Sequence, residues 1–130
     1  MASDVLLIAD DEREAIWAYW DSMALLGTGQ LILAVESFRK ASELKADYPE
    51  PYLGLATALV ASNPLDPAAA TVAIKQYFAL NPKNPEAKSY RLLGDLLKQN
   101  GEVEASRDAF RRADKLELVS DGHSKTSEAN

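Results

Sequence analysis

Apolar side chains recur along this chain at intervals of three and four residues, and Gly, Asn and Pro interrupt the runs at regular points. That spacing predicts helices over about 11–26, 30–45, 51–61, 67–80, 85–99 and 102–118. In the second of these, Leu31, Ala34, Val35, Phe38, Ala41 and Leu44 fall on one face. The first is apolar over more than half its circumference. Trp17, Trp20 and Ala24 form one stripe, and Ile16, Tyr19, Met23 and Leu26 form another. At about 100° per residue the stripes stand a quarter turn or more apart, and a single core face does not need both.

The breaks between helices carry their own signals. Gly27-Thr28-Gly29 and Asn100-Gly101 are turns. Asp66 and Asn84 are each followed by Pro67 and Pro85, an N-cap with proline at the first helical position. Asp11 and Glu14 have capping-box spacing at the start of the first helix. Residues 1–14 are expected to be a lead-in or N-terminal cap, with a short helix carrying Val5–Ile8. Residues 119–130 have little to bury and are expected to be a disordered tail.

Laid over one another, the helix pairs repeat. Ala34, Phe38 and Ala41 match Ala70, Ile74 and Tyr77, and again Ser106, Phe110 and Ala113, at plus four and then plus three. In the leading helices Tyr52, Leu55, Ala56 and Leu59 match Tyr90, Leu93, Gly94 and Leu97. This arrangement resembles the tetratricopeptide repeat, most closely over Leu93–Ala113. The resemblance covers about 15–118. It implies an all-α fold, a right-handed superhelical array of three helix-turn-helix units with about six to seven antiparallel helices. The units would span about 15–48, 49–84 and 87–118. In the first unit Trp17 is one residue out of register with Tyr52 and Tyr90. Either the Gly27–Gly29 turn carries an extra residue or Ala18 occupies the aromatic slot. No further helix is evident after Leu118 to cover the last unit, so some of Val103, Ala109, Phe110 and Leu116 are expected to be less covered than their counterparts. Uncovered apolar ends of this kind leave room for a homodimer.

In that family the first helices of successive units line a concave groove that holds a partner polypeptide. By the resemblance the groove residues are Ile16, Tyr19, Met23 and Leu26 if Ala18 is the core residue. They continue with Glu50, Leu53, Thr57 and Val60, and then Lys88, Arg91, Asp95 and Lys98. Such a groove is apolar at one end and basic at the other. It suits a protein or peptide segment with large apolar side chains and an acidic portion, oriented by Lys88, Arg91 and Lys98. The bland alternative is a solvated face in which these cations pair with Glu86, Asp95 and Glu102. Grip on a heat-shock protein carboxylate is not expected, since the first stripe holds Tyr19 and Met23 rather than Lys, Asn and Arg. Size, acidity and Pro49–Leu59 also resemble the type III secretion chaperones, which cradle needle or translocator subunits.

Composition narrows the classes further. The 130 residues are 47% apolar with a net charge of −6, which fits one globular domain and disfavours nucleic acid and anionic membranes. There is no cysteine and one histidine, His123, in the expected tail. Catalysis, a metal site and a cofactor are therefore not expected, and the chain suits the cytoplasm. No run approaches the ~18 apolar residues of a membrane span. The expected function is an adaptor, scaffold or chaperone, with a structural homo-oligomer as the alternative.

Overall fold

The computed structural model describes residues 10–63 and 67–129, and all regular structure among them is helical. The helices are α1 (Asp10–Gly27), α2 (Leu31–Leu44), α3 (Glu50–Ser62), α4 (Ala68–Ala79), α5 (Ala87–Gln99) and α6 (Val103–Ala129). They form three successive helical hairpins. The chain divides into two compact units, Met1–Pro82 and Lys83–Asn130. The first holds α1 to α4 and the second holds α5 and α6.

The turns settle the register of the first repeat. Gly29 and Gly101 both have left-handed backbones, φ 78° and 83°, which only glycine adopts without strain. Each closes a helix in the same way. Gln30 N–H donates to Leu25 O and Gly29 N–H to Leu26 O; Glu102 N–H donates to Leu97 O and Gly101 N–H to Lys98 O. This double bond pattern satisfies carbonyls the helix end would otherwise leave bare. With the two turns alike, the first carries no extra residue, and Ser22 holds the place of Gly94 while Ala18 holds that of Tyr90. Burial agrees: Ser22 and Ala15 are fully buried, whereas Trp17 and Trp20 are 65% and 63% exposed. The core face of α1 is therefore a third stripe of small residues, Ala15, Ala18 and Ser22, distinct from both apolar stripes. The Ser22 hydroxyl is satisfied by Ala18 O at 2.5 Å and the Ser37 hydroxyl at 2.6 Å.

Phe38 of α2 is the centre of the first unit and is wholly buried with Ala34 and Ala41. Its ring lies directly on Gly54 of α3, where a Cβ atom would meet ring carbons at 2.2–2.8 Å. Pro51, Leu55, Ala56 and Ala58 of α3 and Ala70, Ala73, Ile74 and Tyr77 of α4 complete that core. In the second unit Phe110 sits beside Gly94 of its own hairpin, a contact within the repeat rather than between repeats, and the Ser106 hydroxyl donates to Gly94 O at 2.8 Å. Ser89, Leu96, Leu97, Ala109 and Ala113 are buried there.

Some sequence expectations are corrected. α6 does not stop at Leu118 but continues to Ala129. Once a helix is nucleated each added residue is cheap, and between 119 and 129 no proline intervenes and the least favourable residue is Gly122, at about 1 kcal/mol relative to alanine. Asn84 is not an N-cap and Pro85 is not the first residue of α5. Asn81 and Asn84, each before a proline, take φ 52° and 49°. A following proline disfavours the right-handed helical region, and Asn tolerates the left-handed one. The extended Glu86 caps α5 instead, its carbonyl accepting from Ser89 and Tyr90 N–H. Asp66, the Val5–Ile8 lead-in and the Asp11 side chain lie outside the described residues. Of the four residues expected in part to be less covered, Val103 and Leu116 are open to solvent, Phe110 is half-buried and Ala109 is covered.

Candidate functional site

The small-residue core of α1 turns two apolar stripes outward, and one of them is the expected groove face. Ile16 and Met23 are exposed and Tyr19 is half-buried. On α3 of the same unit, Leu53 and Val60 are half-buried and Thr57 is exposed, its hydroxyl donating to Leu53 O at 2.9 Å. These six residues share the first unit. Tyr19 is its anchor: its ring lies 6.1 Å from Phe38 and meets Tyr48 edge-on at 5.7 Å. Tyr48 lies in the break between α2 and α3, directly before Pro49. It packs on Tyr19, and an aromatic directly before proline is the one sequence signal that marks it.

Burial, and after it the Glu50 carboxylate, raises the pKa of Tyr19. Burial, Glu50 and Tyr19 together push Tyr48 up to about 12. Both phenols thus stay neutral in ordinary buffers and keep their O–H groups for donation. The loop that carries Tyr48 is tied to α1, since Lys45 bridges Glu12 and Asp47 at 3.0 Å each. The face is therefore apolar, aromatic and held in place from behind. It can take up hydrophobic side chains and offer two phenols at its edge.

The other four expected residues lie on α5 in the second unit. Lys88, Asp95 and Lys98 are exposed, with Lys88 3.7 Å from Glu86. Arg91 differs from the expectation in its partners. Its guanidinium bonds to both carboxylate oxygens of Glu117 and, at 2.9 Å, to Asp114 of α6. Arg91 fastens α6 to α5 through its Nε and one terminal nitrogen, both bonded within this chain.

This pairing has a testable pH dependence. The Arg91 guanidinium holds Glu117 below its ordinary value near 4.5. A carboxylate with a lowered folded-state pKa stabilises above its unfolded value and loses that contribution as pH falls through the folded one. The helical signal of α6 is thus expected to decline below about pH 4.5. In Arg91→Gln the Glu117 carboxyl, followed by NMR, should titrate in the ordinary range. An unchanged low titration in that variant would assign the shift to something other than Arg91.

Residues 87–118 match the family model of the tetratricopeptide repeat. That span is α5 and the first part of α6, the stretch whose sequence carried the resemblance most clearly. The chain as a whole is similar to the crystal structure of MamA, with a TM-score of 0.66 at 17% identity, over 83% of this chain and 61% of that one. At that identity the likeness is one of fold, an all-α helical repeat, and the chain spans about three-fifths of MamA's length. No curated protein matches. Helical repeats of this type serve as protein-interaction modules. Among the described residues no helix is long and apolar enough to cross a membrane.

Proposed function

We propose that the first unit receives a segment of another polypeptide against Ile16, Tyr19 and Met23 of α1 and Leu53, Thr57 and Val60 of α3. The observation that carries this reading is the pair Ile16 and Met23. They stay open to water on a helix whose core is already filled by Ala15 and Ser22, while Tyr19 between them is braced by Phe38 and Tyr48. Exposed apolar residues flanking a rigid aromatic are what a partner's large side chains pack against. On the second unit by itself, exposed Lys88 and Lys98 of α5 suit an acidic segment, Lys88 standing 3.7 Å from Glu86, and Arg91 serves fold stability. This is an adaptor or scaffold reading. The narrower chaperone reading rests on Pro49–Leu59, where Pro51, Gly54, Leu55, Ala56 and Ala58 are buried. That stretch speaks for packing of the repeat rather than for a secretion cargo.

Met23→Glu and Leu53→Glu place charges on this face without touching the buried residues. Each is expected to weaken a co-purifying partner by about tenfold or more, measured by titration calorimetry with that partner. Lys88→Glu should act less, and more at low salt. Full retention of the partner by the Met23→Glu, Leu53→Glu double variant would sink the assignment.

A further inference from the structure

One carboxylate on the receiving side of the first unit stands without a cation among the described residues. α3 begins at Glu50, one turn before Leu53 on the same stripe and two residues after Tyr48. Glu50 is half-buried, and so are Tyr19 and Tyr48. The two phenol rings meet at 64° with centroids 5.7 Å apart, so they form a corner rather than a stack. The Glu50 carboxylate is close enough to this corner to contribute to the raised pKa of both phenols. Among the described residues, neither phenol hydroxyl and no carboxylate oxygen of Glu50 has a hydrogen-bond or ion partner. Lys45, the cation of the same loop, already bridges Glu12 and Asp47 at 3.0 Å each.

These groups select what can lie against them. A wholly apolar segment would strip water from Glu50 and return nothing, which is costly for any charge. An acidic segment would be repelled by the same carboxylate. An ammonium or guanidinium group gains on every count. It neutralises Glu50, it donates N–H to the phenol oxygens, which accept as well as donate, and it is attracted to the negative faces of the rings. Its aliphatic stem extends the apolar packing towards Leu53. An acid in the first turn of a helix also steadies that helix end. That role is complete within the chain and does not account for the two unpartnered phenols beside it.

We propose that Glu50, Tyr19 and Tyr48 together seat one Lys or Arg side chain of the polypeptide segment that the first unit receives. The inference rests on the receiving-face reading above and adds the chemistry of the segment. Large apolar side chains lie against Ile16, Met23, Leu53 and Val60, and a basic residue lies at the end of the face where α3 begins. Glu50 is the one charge in the stripe Glu50, Leu53, Thr57 and Val60. It therefore fixes which way along the face the segment runs, while the apolar residues supply most of the affinity.

A displayed library of random heptapeptides, panned on the full chain, tests this. The wild-type chain should enrich sequences that carry Lys or Arg among large apolar residues. The Glu50→Gln chain should enrich apolar sequences without the basic residue, and the Glu50→Lys chain should enrich acidic ones. A peptide selected on the wild type, measured by titration calorimetry, should bind Glu50→Gln about fivefold more weakly. Tyr48→Leu should weaken it more than Tyr48→Phe, which keeps the ring. Circular dichroism checks that each variant folds, and a role of Glu50 confined to the helix end would move none of these preferences. Two results overturn the proposal and leave the receiving face standing. One is enrichment of Lys and Arg that persists undiminished on Glu50→Gln. The other is enrichment on the wild type of sequences without a basic residue that no longer bind the Met23→Glu, Leu53→Glu double variant. Sequences that bind this double variant as well as the wild type, or no enrichment at all, overturn the face and the proposal with it.

Discussion

Phe38→Ala is expected to lower the stability of the first unit by about 3–5 kcal/mol, the cost of a cavity in a core that cannot collapse around it. The ring is wholly buried and is surrounded by three different elements. Tyr19 of α1 lies 6.1 Å from it, Gly54 of α3 touches it, and Ala34 and Ala41 flank it on α2. Because α1 and α3 both rest on this one side chain, its loss loosens the receiving face as well as the core. Urea unfolding followed by circular dichroism measures the change. Tyr19 should also lose part of its burial, and with it the leading cause of its raised pKa. A loss under about 1 kcal/mol would show that the ring does not hold the unit together.

Gly54→Ala is the complementary test. In an exposed helix interior alanine would be favoured over glycine by about 1 kcal/mol. Here the new methyl would stand 2.2 Å from Cε1 and 2.4 Å from Cζ of Phe38. That ring has no solvent side to swing towards, so α2 and α3 must separate. Net destabilisation of about 1–3 kcal/mol is expected. Gly94→Ala makes the sharper comparison. Its methyl would stand 2.8 Å from Cε1 of Phe110, but that ring is half-exposed and can yield, so the change should be close to neutral. Phe38→Leu combined with Gly54→Ala should recover part of the loss, because the shorter side chain frees the space the methyl needs. Equal effects at Gly54 and Gly94 would refute the argument from ring mobility.

The helices themselves were legible because each combines a three-and-four spacing with a breaker on either side. The α5 and α6 hairpin was the clearest, and it is there that the repeat family model matches. The small and aromatic positions of α2, α4 and α6 were also readable: Ala34, Phe38 and Ala41, Ala70, Ile74 and Tyr77, and Ser106 and Ala113 are buried where the alignment of repeats put them. The end of α6 was not legible. Composition after Leu118 lacks anything to bury, but helix propagation does not require burial when no proline intervenes.

The α1 helix marks the boundary between the two kinds of information. Its sequence determined that it is helical, that it carries more apolar surface than a core face uses, and that its register against Tyr52 and Tyr90 is ambiguous. Hydrophobicity alone points to the tryptophans as core. Only the tertiary structure decided otherwise. The Gly29 turn repeats the Gly101 turn, which sets Ser22 against Ser37 of α2 and buries Ala15, where a close approach of helices admits small side chains and excludes an indole. Likewise the sequence determined that α5 bears Arg91 among basic residues, while the fold decided which carboxylates reach it. Those are Asp114 and Glu117, more than twenty residues away along the chain and on the helix packed beside it. Local spacing records what each helix can bury. Which of its faces is buried depends on the shape of the neighbour.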